Sequence, residues 1–592
     1  ILGGKNNFIS GSGNTNSAYH MIFGGLQSCI KMNESLSTLD TGGVVISGYN
    51  NLVSAGSGFI GVATNSTVSA YQAAVLSGDS NSVSGCYGFV GAGRLNTVGG
   101  HCGFIGGGCN NCITGTNSFV GGGLLNDVLN STSVIAGGYN NSLSATVTAI
   151  AGGRDNCITS TGACSFIGGG CTNKIENLFS TIAGGCSNCI QDRYSFIGGG
   201  EDNCTNSDYW YNVIGGGSLN TISGTYSGYN TIGGGCSNSL SGTYSSYQTI
   251  GGGSSNDVCG KGGTIAGGTS NTICNGEQYA TIGGGRNNKV DSDCSFIGGG
   301  NFNCVCSNQS FVGGGYSNLI NVIGAGRNVL SGGYNSGISG LGGYHTIAGG
   351  TVQCINSSGE KNTIGGGGNH IISCNIHNST IAGGGGNIIC RISGTDYGST
   401  IGGGAFNCLI TAACFSVIAG GYFNNSTAAN TFIGGGSLNV VSSTAGGILG
   451  GCSNTVSHTC SFIVGSNLTS TAACYTFMNN ACVAGTTRTT TLVETSARKH
   501  KECIVPLQNQ IENLKKLEPV SFTWKEDKKE DIGLIAEDVE KVLPKMVSYE
   551  DNGELHGVQY SKLTAILIKA FQEQQNQIEE LKEEVKLLKQ NK

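Results

Sequence analysis

From Phe104 onward the chain restates one short sentence: "FIGGGCNNCI", "FVGGGLLNDV", "VIAGGYNNSL", "AIAGGRDNCI", "FIGGGCTNKI". Its aliphatic anchors, Ile105, Val120, Ile135, Ile150, Ile167, Ile182 and Ile197, recur about every 15 residues, with small insertions that later repeats enlarge. A unit this short cannot bury its apolar face alone, so the period specifies a solenoid in which each turn is held by its neighbours. Each unit carries two short β-prone runs, Phe104–Ile105 and the aliphatic residue after the asparagine being examples. The predicted fold class is therefore mainly β: an elongated β-solenoid (β-roll) of about 15-residue repeats.

Glycine triplets between the runs are expected to supply left-handed bends that other residues resist by about 1 kcal/mol or more each. The asparagine that follows is expected both to tolerate that backbone region and to hydrogen-bond to its counterparts in the turns above and below. Units before about residue 85 are degenerate. Insertions around Trp210 ("CTNSDYWYN") and before His345 ("SGGYNSGISGLGGYH") are expected to bulge from one side of the stack. Their aromatic rings are where a glycan would be sought, since ring faces stack on sugars.

Glycine supplies 105 of the 592 residues, but there is no G-X-Y period and almost no proline, which excludes collagen and disfavours disorder. The net charge of -6 offers no basic stripe for nucleic acid. No stretch approaches the roughly 18 apolar residues of a membrane span. The chain opens on Ile1 rather than Met and is read as a fragment, so a missing leader carries no information. Of the 27 cysteines, 26 precede Ser496, many in pairs such as Cys109 and Cys112 or Cys186 and Cys189. Other repeats put Asn, Ser, Thr or Asp in the same slots and no histidines accompany the pairs, so no metal or cofactor is expected there. The thiols are read as small half-buried side chains made in a reducing compartment.

Behind Ser496 the material changes. The last 97 residues hold all three prolines, 34 of the 64 formal charges and three glycines. A helix is predicted from Pro506, with Leu507, Ile511 and Leu514 on one face, ending before Pro519. "PVSFTW" reads as a strand, "IGLIAEDVEKVLP" as a strand turning into a helix, and Asn552-Gly553 as a hairpin turn. A last helix from about Lys562 carries Phe571 and then Ile578, Leu581, Val585 and Leu588 at heptad spacing, the predicted core of a coiled coil. The domains expected are the solenoid over 1–466, an extended transition over 467–495, a small α+β domain over 496–571 and the coiled coil over 572–592.

The strings "TSARKHKECIVPL", "LEPVSFTW", "IGLIAEDVEKVLP" and "NGELHGVQYSKLTAILIKAFQE", in that order, resemble the intramolecular chaperone domain of endosialidase-type tail spikes, the peptidase S74 family. The repeats resemble the glycine-rich β-rolls of trimeric adhesin heads and of virus and phage fibres. The resemblance implies a homotrimer, two further copies of the chain being its partners, whose chaperone directs folding and is released by a single self-cleavage. Carried onto this sequence, Ser496 is the nucleophile, Lys501 the general base, and Thr495–Ser496 the broken bond. Ala497, His500 and Cys503 depart from the family's usual residues, while Ser496 and Lys501 keep to it. The location implied is a virion-surface fibre, or another extracellular surface if the chain is a surface adhesin, with a host-surface glycan or receptor as partner. The rival is a glycan-degrading tail spike with the same chaperone, against which stands the lack of an evident carboxylate pair at a fixed place in the repeat.

Overall fold

The computed structural model describes residues 1–10, 19–31, 42–274, 276–324, 326–391, 394–410, 412–480, 493–550 and 552–591. They fall into two units, Ile1–Cys482 and Val483–Lys592.

The first unit is a β-solenoid. Its "FI" strands stack in parallel and in register, Phe89 on Phe104 on Phe119 on Val134. The strands after the asparagine form a second parallel ladder, Thr97 on Cys112 on Asp127 on Ser142, which reaches 28 strands among the described residues. Single-residue bridges such as Arg94 to Cys109 to Leu124 mark a third column. Because strand residues alternate between faces, each two-residue strand sends one side chain inward and one outward. The inward ones, Ile105, Val120, Ile135 and Ile150 from one ladder and Ile113, Val128, Leu143 and Ile158 from the other, are completely buried. The core is therefore two facing aliphatic columns, each side chain contributing about 1.5–3 kcal/mol.

The left-handed backbone is distributed differently from the expectation. In each turn the residue after the bridge column has positive φ whatever its type: Asn110 (55°), Leu125 (61°), Asn140 (54°), Asp155 (58°). The next residue, Asn111, Asn126, Asn141 or Asn156, is fully buried and forms the ladder. The two roles assigned to one asparagine thus belong to adjacent residues. The third glycine of the triplet is needed for space as well as for φ, since a Cβ on Gly108 (φ 94°) would lie 2.1 Å from the carbonyl oxygen of Gly123.

The buried asparagines leave no polar atom unused. The two hydrogens of Asn126 Nδ2 are shared among Gly122 O (3.1 Å), Gly138 O in the next turn (3.0 Å) and Asn111 Oδ1 (3.1 Å). Its Oδ1 accepts from the backbone N–H of Asn141 at 3.2 Å and from Asn141 Nδ2 at 3.1 Å. This column secures most rungs to the next with buried bonds, where a missing partner costs most; among the described residues Ser28 Oγ and Gln353 Oε1 are the places where the acceptor goes unused. The solenoid also runs past residue 466: Thr476–Met478 pairs in parallel with Phe462–Val464, inside the stretch expected to be a plain extended transition.

The second unit contains α1 (Gln510–Leu514), α2 (Ala536–Val542) and α3 (Tyr560–Gln590). Strands Val520–Thr523 and Glu530–Gly533 pair antiparallel, as do Val547–Tyr549 and Leu555–Val558. A small core of Val539, Met546, Val547 and Ile566 holds it together. The first helix begins four residues after Pro506, not at it. Asn509 is left-handed (φ 56°), and the Glu573 carboxylate of α3 accepts the N–H groups of Gln510 (2.8 Å) and Ile511 (3.2 Å). The helix starts where a distant carboxylate can cap it. The hairpin turn is longer than two residues, closed by Glu550 N–H to Glu554 O at 2.8 Å, with Gly553 at φ 85°.

Candidate catalytic dyad at Ser496 and Lys501

The backbone ahead of the dyad is irregular from Val493 to Ala497, and Arg498–His500 then makes one 3₁₀ turn. His500 N–H donates to Ala497 O at 3.0 Å and Lys501 N–H to Arg498 O at 3.1 Å. At Lys501 the chain returns to an extended conformation (φ -131°, ψ 137°). The tight turn folds Lys501 back over Ser496, so that Lys501 Nζ donates to Ser496 Oγ at 2.7 Å. A separation of five residues puts two side chains together here because a 3₁₀ turn, not a strand, lies between them.

Among the described residues nothing encloses the pair. Every residue from Val493 to Asn509 is exposed, the basic cluster Arg498, Lys499 and His500 included. An amine serves as a base at neutral pH only where burial or neighbouring cations favour its neutral form. The chain supplies the contact between Lys501 Nζ and Ser496 Oγ and places the cations Arg498 and Lys499 next to it in sequence. Thr495 is described and exposed, while 481–492, most of the segment leading to it, lies outside the described residues.

The other predicted site residues are on α3. Ile578, Leu581, Val585 and Leu588 follow one another along its distal half, all exposed, Leu588 at 68 %. The proximal half is anchored by Ile566 and Ala570, both buried. Among the described residues no helix is long and apolar enough to cross a membrane, and no group of three or more His, Cys, Asp or Glu side chains is placed to hold a metal ion. The two cysteines of a CxxC pair fall in separate columns, Cys109 in the bridge column and Cys112 on the outer face of the second ladder.

The aromatic insertion forms a corner stack. Phe179, Tyr194, Tyr211, Tyr229 and Tyr247 lie ring on ring at 4.9, 5.0, 5.0 and 5.3 Å, and Tyr226 on Tyr244 at 5.1 Å beside them. Neighbouring rungs occupy both faces of Tyr194, Tyr211 and Tyr229, so these rings present edges and hydroxyls outward. Trp210 stands off the column, tilted 55° to Tyr194 and 42 % exposed.

A family model described as Chaperone of endosialidase, Peptidase_S74, matches residues 496–548, its first matched residue being the serine of the dyad. No curated protein matches the chain. The chain thus carries an endosialidase-type chaperone domain behind a long β-solenoid, an arrangement that fits a phage fibre or tail-spike type of protein.

Proposed function

Taking that arrangement as premise, we propose that the chain is one strand of a homotrimeric viral or phage fibre whose C-terminal module aligns three copies and then severs itself at Thr495–Ser496. The observation that carries the cleavage is the 2.7 Å approach of Lys501 Nζ to Ser496 Oγ. With the amine neutral, Lys501 takes the hydroxyl proton and Ser496 Oγ attacks the carbonyl carbon of Thr495. The Ser496 nitrogen leaves as an amine, accepting the proton from Lys501, and water hydrolyses the resulting ester. The exposure of the dyad in one chain gives assembly a chemical role: other copies covering Lys501 would exclude water from the pair.

The repeat supplies the reason for such a device. Sliding one chain past another by a whole turn preserves most contacts, so wrong alignments differ little in energy from the right one. Parallel β pairing is also slow and exposes edges meanwhile. A trimer seed fixes which rungs face each other, and its later removal leaves a shaft that cannot retrace its folding path. The exposed heptad face of α3 is the surface for that seed.

Mass analysis of the wild-type chain beside Ser496→Ala and Lys501→Ala tests the reading. Wild type is expected to yield a C-terminal piece beginning at Ser496, with both variants intact; cleavage in both variants removes the dyad. Chains that never carried residues 496–592 are expected to give little soluble trimer, and equal yields would remove the chaperone role.

A further inference from the structure

Cys374 and Cys390 touch across two successive rungs, their sulfur atoms 3.5 Å apart; Cys304 and Cys306 come as close within one strand, and Cys189 and Cys204 are also in side-chain contact across rungs. The strand Ile371–Cys374 pairs with Ile388–Cys390 so that Ser373, not Cys374, is opposite Cys390. Strict alternation would send Cys374 to the other face of the sheet. Its left-handed backbone (φ 74°) breaks the alternation and brings the thiol diagonally toward Cys390.

We propose that Cys374 and Cys390 form a redox-modification site, a rung-to-rung dithiol that closes into a disulfide when a small-molecule disulfide reaches the folded shaft. Cys374 is exposed and Cys390 half-buried, which sets the order of events. The Cys374 thiolate attacks the oxidant and releases one small thiol. The Cys390 thiolate then attacks Cys374 Sγ and releases the second. Two protein thiols give up two electrons and two protons, and the oxidant takes both to become two thiols. Burial, opposed by the Ser373 hydroxyl and reinforced by Cys374, holds the Cys390 thiol above the ordinary range, in keeping with its place as the second nucleophile.

Direct register alone does not make such a site. Cys189 stands opposite Cys204 in the second ladder, but in-register side chains keep the rung spacing of about 4.8 Å, whereas a disulfide needs Cβ atoms about 3.8 Å apart. The diagonal pair escapes that constraint. It also sits where reinforcement has a purpose. The turn from Ile381 to Ile401 spans 20 residues, against 15 from Ile105 to Val120. Beside it Ile376–His377 and Asp396–Tyr397 form a separate two-stranded ladder. A link from 374 to 390 ties down the base of that bulge.

The sequence makes the test direct. Lys361 and Arg391 flank both cysteines with no other Lys or Arg between, so trypsin releases them in one peptide, 362–391. The full-length protein is incubated with glutathione disulfide, its remaining thiols are alkylated with iodoacetamide under denaturing conditions, and the peptides are weighed. Peptide 362–391 is expected about 2 Da light and unalkylated, reverting to the doubly alkylated form after reduction. Cys374→Ser and Cys390→Ser should each abolish the light form, and linkage of Cys189 to Cys204 should be at least tenfold rarer. Double alkylation in the oxidised native protein, or equal linkage in the urea-unfolded chain, overturns the proposal.

Discussion

Replacing Asn126 by alanine tests whether the buried asparagine column, not the aliphatic core, sets the local stability of a rung. Alanine removes all five side-chain hydrogen bonds of Asn126 and leaves the backbone N–H of Asn141, whose acceptor is Asn126 Oδ1 at 3.2 Å, buried without a partner. Gly138 O is spared, because Leu124 N–H still donates to it at 2.9 Å. One orphaned donor at about 1–3 kcal/mol, with the remaining bonds adding about 1 kcal/mol, gives a local loss of about 2–4 kcal/mol. Serine should be milder, and the chain contains its own precedent. Ser66 Oγ accepts Asn81 N–H at 3.3 Å and Ser336 Oγ accepts Gln353 N–H at 3.2 Å in the same column. His370 keeps the rule with Nδ1, accepting Asn387 N–H at 3.1 Å. What nearly every occupant preserves is an acceptor for the next rung. Asn126→Ser should therefore lie at least about 1.4 kcal/mol above Asn126→Ala, a factor of ten in local opening. Native-state hydrogen exchange of peptides covering residues 141–158 measures it, with residues 272–297 as a distant control, because a solenoid turn contacts only its neighbours. Equal exchange in the two variants, or equal acceleration in the control, would refute the reasoning.

His345 makes one rung acid-sensitive: it is fully buried, its Nδ1 accepts Asn362 N–H at 3.2 Å, and burial, helped by the nearby His377, lowers its pKa to about 4. The folded state binds fewer protons than the unfolded chain between about 4 and the ordinary 6.5, so stability is complete above 6.5 and falls by up to about 3 kcal/mol as the pH drops through that window; local opening compared with His345→Asn should show the gap widening on acidification, and a pH-independent gap refutes it. If the aromatic corner is the receptor surface, Trp210→Ala should cut binding on a glycan array at least tenfold with trimer yield unchanged, and full retention would move receptor contact elsewhere.

The solenoid was legible because two positions in 15 decide it and the chain repeats the evidence many times. The division of labour between Asn110 and Asn111 was readable too, from the repeats compared with one another. The first position varies through Asn, Leu, Asp and Thr, as Asn110, Leu125, Asp155 and Thr172 show, while the second is Asn in all four of those turns and in most others. A tolerant exposed corner and a strict buried ladder differ in that way. The start of α1 was not legible, because the carboxylate that caps it, Glu573, is 63 residues from Gln510. The dyad came from a resemblance, since the 3₁₀ turn that closes five residues into contact has no signature in "SARKHK". The meeting of Cys374 with Cys390 depends on one positive φ that local composition does not announce.

Most turns meet their neighbours through inward aliphatics, a buried side chain that offers an acceptor to the next rung, and an outward corner. Excising or duplicating one complete 15-residue turn, such as that from Ile105 to Val120, would join surfaces that already match. The length of such a stack is free to drift in steps of one rung, each about 4.8 Å.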